Sequence, residues 1–120
     1  MKIALTTPGN DLEAPLDPSF GRAPGFLVYD DETQAFVRIS NSQNLQAVQG
    51  AGIQAAQTIV KAGAQALITG HCGPKAFRVL EAAGIKVFNT DAATIAEALR
   101  RYRAGELSEA IAANVEGHWV

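Results

Sequence analysis

A second cysteine is the most consequential thing this sequence lacks. Cys72 is the only one among 120 residues, so no disulfide can form within the chain. A reducing, cytoplasmic compartment is the expectation. Strong charge of either sign is also missing. The formal net charge is −2 and the pI about 5.6, which argues against broad, charge-driven nucleic-acid binding. No apolar run approaches the roughly 20 residues that a bilayer span needs, so no membrane association is expected. The opening Met1-Lys2-Ile3-Ala4-Leu5-Thr6 is too short an apolar stretch, too soon followed by Pro8-Gly9-Asn10, to read as a signal peptide. The acids Asp11, Asp17, Asp30, Asp31 and Asp91 are scattered over turns and caps. No carboxylate cluster points to a two-metal nuclease, and no Ser-His-Asp order stands out. There is no internal repeat, low-complexity segment or linker, so residues 1–120 read as one domain, with a loosely packed tail from about residue 106.

What is present alternates between strand and helix. Apolar residues make up 48% of the chain, much of it alanine, which suits helices packed closely on a sheet. Residues 2–7 read as a strand, followed by an irregular stretch over 14–25 that carries Pro15, Pro18, Pro24, Gly21 and Gly25. Residues 25–29 and 35–40 are apolar runs joined by Asp30-Asp31-Glu32-Thr33-Gln34, the pattern of a β-hairpin. A polar loop is expected over 41–50. Helical spacing follows: Ile53, Ala56, Ile59, Val60 and Gly63 mark the buried face of a first helix, and Ala76, Phe77, Leu80 and Ala83 that of a second, stopped by Gly84. Between them, residues 66–69 form a short apolar strand, and residues 85–89 another. Thr90 or Asp91 is expected to cap a third helix that buries Ile95, Ala98, Leu99 and Tyr102 and stops at Gly105. A short helical turn is expected around residues 108–112. The order β, hairpin, α, β, α, β, α predicts an α/β fold. It is a three-layer α/β/α domain with right-handed crossovers and a mixed five-stranded sheet containing one antiparallel strand.

Chemistry concentrates at the second strand-to-helix junction. In Gly70-His71-Cys72-Gly73-Pro74-Lys75, Pro74 suits the first position of a helix, where its missing N–H costs nothing. Cys72 then precedes a helix N-terminus, where backbone donors and the helix dipole favour a thiolate. Cys72 and His71 are soft ligands, but a four-iron cluster normally takes four thiolates. A cluster held here brings its own ligands, shares sites across a homodimer, or is held by electrostatics and hydrogen bonds. The same loop satisfies His-Cys-x5-Arg, ending at Arg78, the spacing of cysteine-dependent phosphatases. Pro74 removes a donor from that cradle, and Val79 stands where a hydroxyl is expected after Arg78. In Phe20-Gly21-Arg22-Ala23-Pro24, a flexible glycine and a stiff proline flank an arginine suited to an anionic ligand. Gly50-Ala51-Gly52 opens the first helix and can bring backbone close to a ligand. His118 and Trp119, near the end of the tail, read as an open question and a hydrophobic plug respectively.

Three motifs occur in this order: Phe20-Gly21-Arg22-Ala23-Pro24, Gly50-Ala51-Gly52-Ile53-Gln54-Ala55-Ala56 and Thr69-Gly70-His71-Cys72-Gly73-Pro74-Lys75-Ala76-Phe77. With them the chain resembles the nitrogenase iron-molybdenum cofactor biosynthesis family, the group of NifX, NafY and the C-terminal part of NifB. Its ending, Asn114-Val115-Glu116-Gly117-His118-Trp119, is similar to that of the small stand-alone members. The resemblance implies a ribonuclease H-like fold without nuclease activity. It also implies binding or carriage of iron–sulfur or iron–molybdenum cofactor precursors, with cluster donor and recipient proteins as partners. Two positions depart from the family pattern: Ser19 and Gln49 stand where histidines are common. That shifts the expected cluster contacts to Cys72 as principal metal ligand and His71 as auxiliary. Arg22 and Lys75 would neutralise the cluster, the Gly73 N–H would donate to it, and Ser19 would border the site. The expected function is a non-catalytic carrier or chaperone. The alternatives are a thiol phosphatase and a regulatory or interaction domain that has lost its ligand.

Overall fold

The computed structural model describes residues 1–41 and 50–111. Five strands, β1 (Lys2–Thr7), β2 (Gly25–Asp30), β3 (Phe36–Ser40), β4 (Ala66–Thr69) and β5 (Lys86–Asn89), form one sheet in the order β3-β2-β1-β4-β5. Three helices, α1 (Ala51–Lys61), α2 (Pro74–Ala82) and α3 (Ile95–Arg103), accompany the sheet among the described residues. β1, β4 and β5 are parallel, and β2 pairs antiparallel with both β1 and β3. β2 is therefore the one strand that runs against the rest, as the element order predicts.

Alternation along the strands divides the core in two. Ala4, Phe26, Val28, Leu67 and Val87 face α1 and α2, packing on Ala55, Ala56, Ile59, Ala76, Phe77 and Leu80. Ile3, Leu5, Leu27, Tyr29, Ala66 and Ile68 face the other way, onto Ile95, Ala98 and Leu99 of α3. Each fully buried Leu, Ile or Phe contributes about 1.5–3 kcal/mol relative to exposure. The two layers, rather than any single contact, hold the sheet between the helices. Pro74 occupies the first turn of α2. Gly63, Gly84 and Gly105, all with positive φ, follow the three helices, the left-handed stop that glycine accepts without a Cβ penalty.

Several expectations are corrected. The cap of α3 is Thr94, whose side chain accepts from the Glu97 N–H at 3.1 Å; neither Thr90 nor Asp91 caps it. The reason is tertiary. The Ile95 N–H donates to the Ala14 carbonyl (2.9 Å) and the Leu16 N–H to the Ala93 carbonyl (3.1 Å), so the chain before Ile95 is held extended against the loop after β1. Thr90 instead turns the chain by accepting from the Ala92 N–H, and Asp91 pairs with Arg101. Val60 and Ala83, expected on buried faces, are exposed, because the buried stripe of α1 runs through Ala51, Ala55, Ala56 and Ile59 and α2 ends before Ala83. β3 begins at Phe36 rather than Ala35, and as an edge strand it leaves Val37 60% exposed. No helical turn forms over 108–111: Glu109 makes an antiparallel bridge to Phe88, and the Ala110 N–H donates to the Val87 carbonyl at 2.7 Å. Gln49, Ala112, His118 and Trp119 lie outside the described residues.

Candidate functional site

The register gathers loops at one end of the sheet. Thr7 of β1 lies beside Gly25 of β2, and Gly25 beside Ser40 of β3. β4 runs parallel to β1, with Ile68 opposite Leu5. The carboxyl ends of β1, β3 and β4 therefore share an edge with the N-termini of α1 and α2. The chain goes from β1 outward through β2 and β3, then crosses to β4 and β5 on the other side. Open α/β sheets bind ligands outside the strand carboxyl ends where the order reverses in this way.

Hydrogen bonds fix the loops there. The Thr6 hydroxyl lies 2.9 Å from that of Thr69 and donates to the Asp17 carbonyl at 2.6 Å. Beyond β4, the His71 N–H donates to the Pro18 carbonyl (2.6 Å) and the Phe20 N–H to the His71 carbonyl (3.1 Å). Ser19 and His71 thus form a parallel bridge that extends the sheet by one rung. Gly70 makes the approach possible, since a Cβ there would sit 2.7 Å from both the Pro18 Cα and its carbonyl oxygen. Phe20 is buried against Phe26, with ring centroids 5.6 Å apart.

Three segments, residues 20–22, 50–53 and 73–76, line a cleft of ≈ 380 Å³. They meet at small residues: a Cβ on Gly21 would lie 3.1 Å from the Gly52 Cα and N, and one on Gly52 would lie 3.2 Å from the Ala76 Cβ. α1 starts from Gly50, whose φ of 80° suits glycine, and α2 from Gly73. Neither helix has a side-chain cap or an acidic residue in its first turn. Their opening N–H groups lack intrahelical acceptors, Pro74 contributing none, and both positive dipole ends border the cleft. Arg22 and Lys75, both exposed, add two cations, and among the described residues none that lines the cleft carries a negative charge. This lining chemistry is of the kind that favours an anion.

The sequence-predicted residues divide between this cleft and its surroundings. Arg22, Gly73 and Lys75 line it. His71 is exposed and Ser19 half-buried, joined in their bridge, and neither is among the lining residues. Cys72 is 1% exposed within the core cluster that includes Phe20, Ala76 and Phe77. Burial pushes its thiol up from 9.0 to about 12, which overturns the expectation of a thiolate. Desolvation there outweighs the helix dipole, because the sulfur sits in the core beneath the helix end. The phosphatase geometry fails with it: the thiol is protonated at neutral pH, Pro74 withholds its donor, and Arg78 is exposed on α2 outside the cleft lining. Among the described residues no three of His, Cys, Asp and Glu come together as metal ligands. No helix among them is long and apolar enough to cross a membrane.

One prediction follows from the thiol. Between pH 9 and 12 the unfolded chain loses a proton that the native state keeps. The burial therefore leaves stability intact below the lower value and erodes it above, by at most about 1.4 kcal/mol per pH unit. Urea denaturation across that alkaline range should show a steeper loss for the wild type than for Cys72→Ala. Identical slopes would mean that the thiol is not buried in solution.

Asn41 is a residue whose place the sequence did not reveal. It falls in an expected polar loop, yet it is fully buried and donates from Nδ2 to the Ala23 and Gly21 carbonyls at 2.9 and 3.3 Å. An asparagine directly after an apolar strand was the available signal, and it looks the same when it merely turns the chain.

Comparison with known proteins identifies the family of the chain. The family model described as dinitrogenase iron-molybdenum cofactor matches residues 1–105. The apo form of the orange protein from Desulfovibrio gigas is 43% identical and superposes with a TM-score of 0.92, covering 95% of this chain and 96% of that one. A Thermotoga protein described as of NifB type is 31% identical, with a TM-score of 0.84 over 97% of this chain and 98% of its own. An uncharacterized protein of Methanocaldococcus jannaschii is 30% identical over 114 residues, 91% of each chain. The chain belongs to the dinitrogenase iron-molybdenum cofactor family.

Proposed function

We propose that this protein is a non-catalytic carrier or chaperone for an anionic iron–sulfur or iron–molybdenum type cluster. It would hold the cluster in the cleft of residues 20–22, 50–53 and 73–76 and pass it from donor to recipient proteins in the cytoplasm. The observation that carries this reading is the chemistry of the lining. Two uncapped, acid-free helix N-termini, Arg22 and Lys75 converge on a space with no ligand set among the described residues. Such a surface suits a cluster that brings its own sulfur ligands and needs only charge neutralisation and N–H donors. Each charge-assisted hydrogen bond is worth about 1.5–3 kcal/mol, enough in combination to hold an anion and weak enough individually to release it. This reading moves the weight from Cys72 and His71 to Arg22, Lys75 and the Gly73 backbone. A bond to Cys72 would require the thiol both to lose its proton and to leave the core.

Anaerobic incubation with a synthetic dianionic iron–sulfur cluster, capped by its own thiolates, tests the proposal. After desalting, iron and visible absorption should be retained by the wild type and equally by Cys72→Ser, and both should fall as salt is raised. Negligible iron in the wild type would remove the reading. Iron held by the wild type but lost from Cys72→Ser would replace electrostatic holding with thiolate coordination.

A further inference from the structure

We infer that Asn41 is the positioning residue for the arginine wall of the cleft, an inference that rests on the cluster-holding reading. Asn41 follows the edge strand β3, where a polar side chain can reach solvent cheaply. Instead it is fully buried, which is costly unless its amide is satisfied. Its Nδ2 donates to the Gly21 carbonyl at 3.3 Å and the Ala23 carbonyl at 2.9 Å, and its backbone N–H donates to the Pro24 carbonyl at 2.8 Å. The two side-chain acceptors flank Arg22 in sequence. One amide group therefore spans the turn whose central residue supplies the cation.

The rest of the turn is anchored in the same sense. Phe20 and Ala23 are buried while Arg22 is exposed, so the clamp leaves that residue facing outward. Gly21 sits against the backbone of Gly52, where an added Cβ would lie 3.1 Å from the Cα and N and fit only tightly. A shift of the turn should therefore also register in the amide exchange of Gly52. The donor chemistry is specific. Aspartate has the same shape but only acceptors, and would face two carbonyl oxygens with lone pairs and a charge. Serine is too short to reach both.

Two variants, Asn41→Asp and Asn41→Ser, are compared with Arg22→Ala and with each double variant. Amide hydrogen exchange and nitrogen–proton shifts should change at Gly21, Arg22, Ala23 and Gly52 and remain unchanged at Ala98 and Leu99 of α3. Affinity for the dianionic thiolate-capped cluster should fall about tenfold in Asn41→Asp, the scale of one lost buried hydrogen bond. In the Arg22→Ala background the same change should cost little more, because positioning acts through the guanidinium. Additive losses, unchanged exchange at residues 21–23, or unfolding of both variants would overturn the inference. If the wild type binds no cluster, the functional reading fails, and the exchange pattern alone still decides whether Asn41 sets the turn.

Discussion

Reversing both cations of the cleft, in the double variant Arg22→Glu/Lys75→Glu, is expected to abolish cluster retention, with affinity for the dianionic cluster falling by at least about 100-fold. Two attractive contacts worth about 1.5–3 kcal/mol each are removed, and two negative charges are set beside a bound anion. Melting temperature should change little. Both side chains are exposed, and surface substitutions usually stay within about 0.5 kcal/mol. Arg78→Glu is a single-reversal control. It lies on α2 with Lys75 and is also exposed, but is absent from the cleft lining. Screening over about 8 Å at physiological salt leaves it a small share of the field. Equilibrium titration monitored by visible absorption reads all three proteins. A loss in Arg78→Glu as large as in the double variant would mean that overall charge, not this cleft, holds the cluster.

Gly70→Ala is expected to cost about 2–4 kcal/mol of stability and to disable the cleft from outside its lining. The added Cβ would meet the Pro18 Cα and carbonyl oxygen at 2.7 Å. Backbone atoms cannot turn aside as a flexible side chain can. Overpacking of this kind costs about 1–3 kcal/mol. Relief by separating the loops gives up the His71-to-Pro18 and Phe20-to-His71 hydrogen bonds, each worth about 1 kcal/mol. Gly84→Ala provides the comparison. Nothing lies within 4 Å of its Cβ position and only its φ of 77° is strained, so about 1 kcal/mol is expected. Urea denaturation should rank the two variants in that order. Equal losses would show that the loop pairing yields without penalty. Because the Ser19–His71 bridge leads directly into Phe20 and Cys72, the surviving folded fraction of Gly70→Ala should also hold less cluster.

The residues that read correctly from sequence are those whose behaviour is decided locally. Pro74 announces the start of α2 because a residue without an N–H belongs in a first helical turn. Gly84 and Gly105 announce helix ends because few other residues take a positive φ cheaply. The three motifs that imply the family are likewise contiguous strings, and two of them open helices. Val60 misleads for an instructive reason: its position satisfies helical spacing, but the buried stripe is set by how α1 packs with α2 in the core on one face of the sheet. Thr94 misleads in the same way. A cap at Thr90 is as good locally, until the loop over residues 12–16 holds the intervening backbone extended.

The cleft itself is a matter of tertiary placement. Arg22, Gly52 and Lys75 lie far apart in sequence, and the sheet register and the Gly21–Gly52–Ala76 contact bring them together. Cys72 shows the limit most sharply. From sequence it precedes a helix N-terminus, where a thiolate is favoured, and it reads as a ligand. In the fold the same residue points into the α1–α2 core, where desolvation keeps it protonated. Sequence alone determined the order of the elements, the mixed sheet, the glycine stops of the helices and the motifs that mark the family, because periodicity and turn chemistry are short-range. Tertiary structure alone decided which of those residues line the cleft and which are sealed beneath it. Burial depends on what packs against a residue from distant parts of the chain.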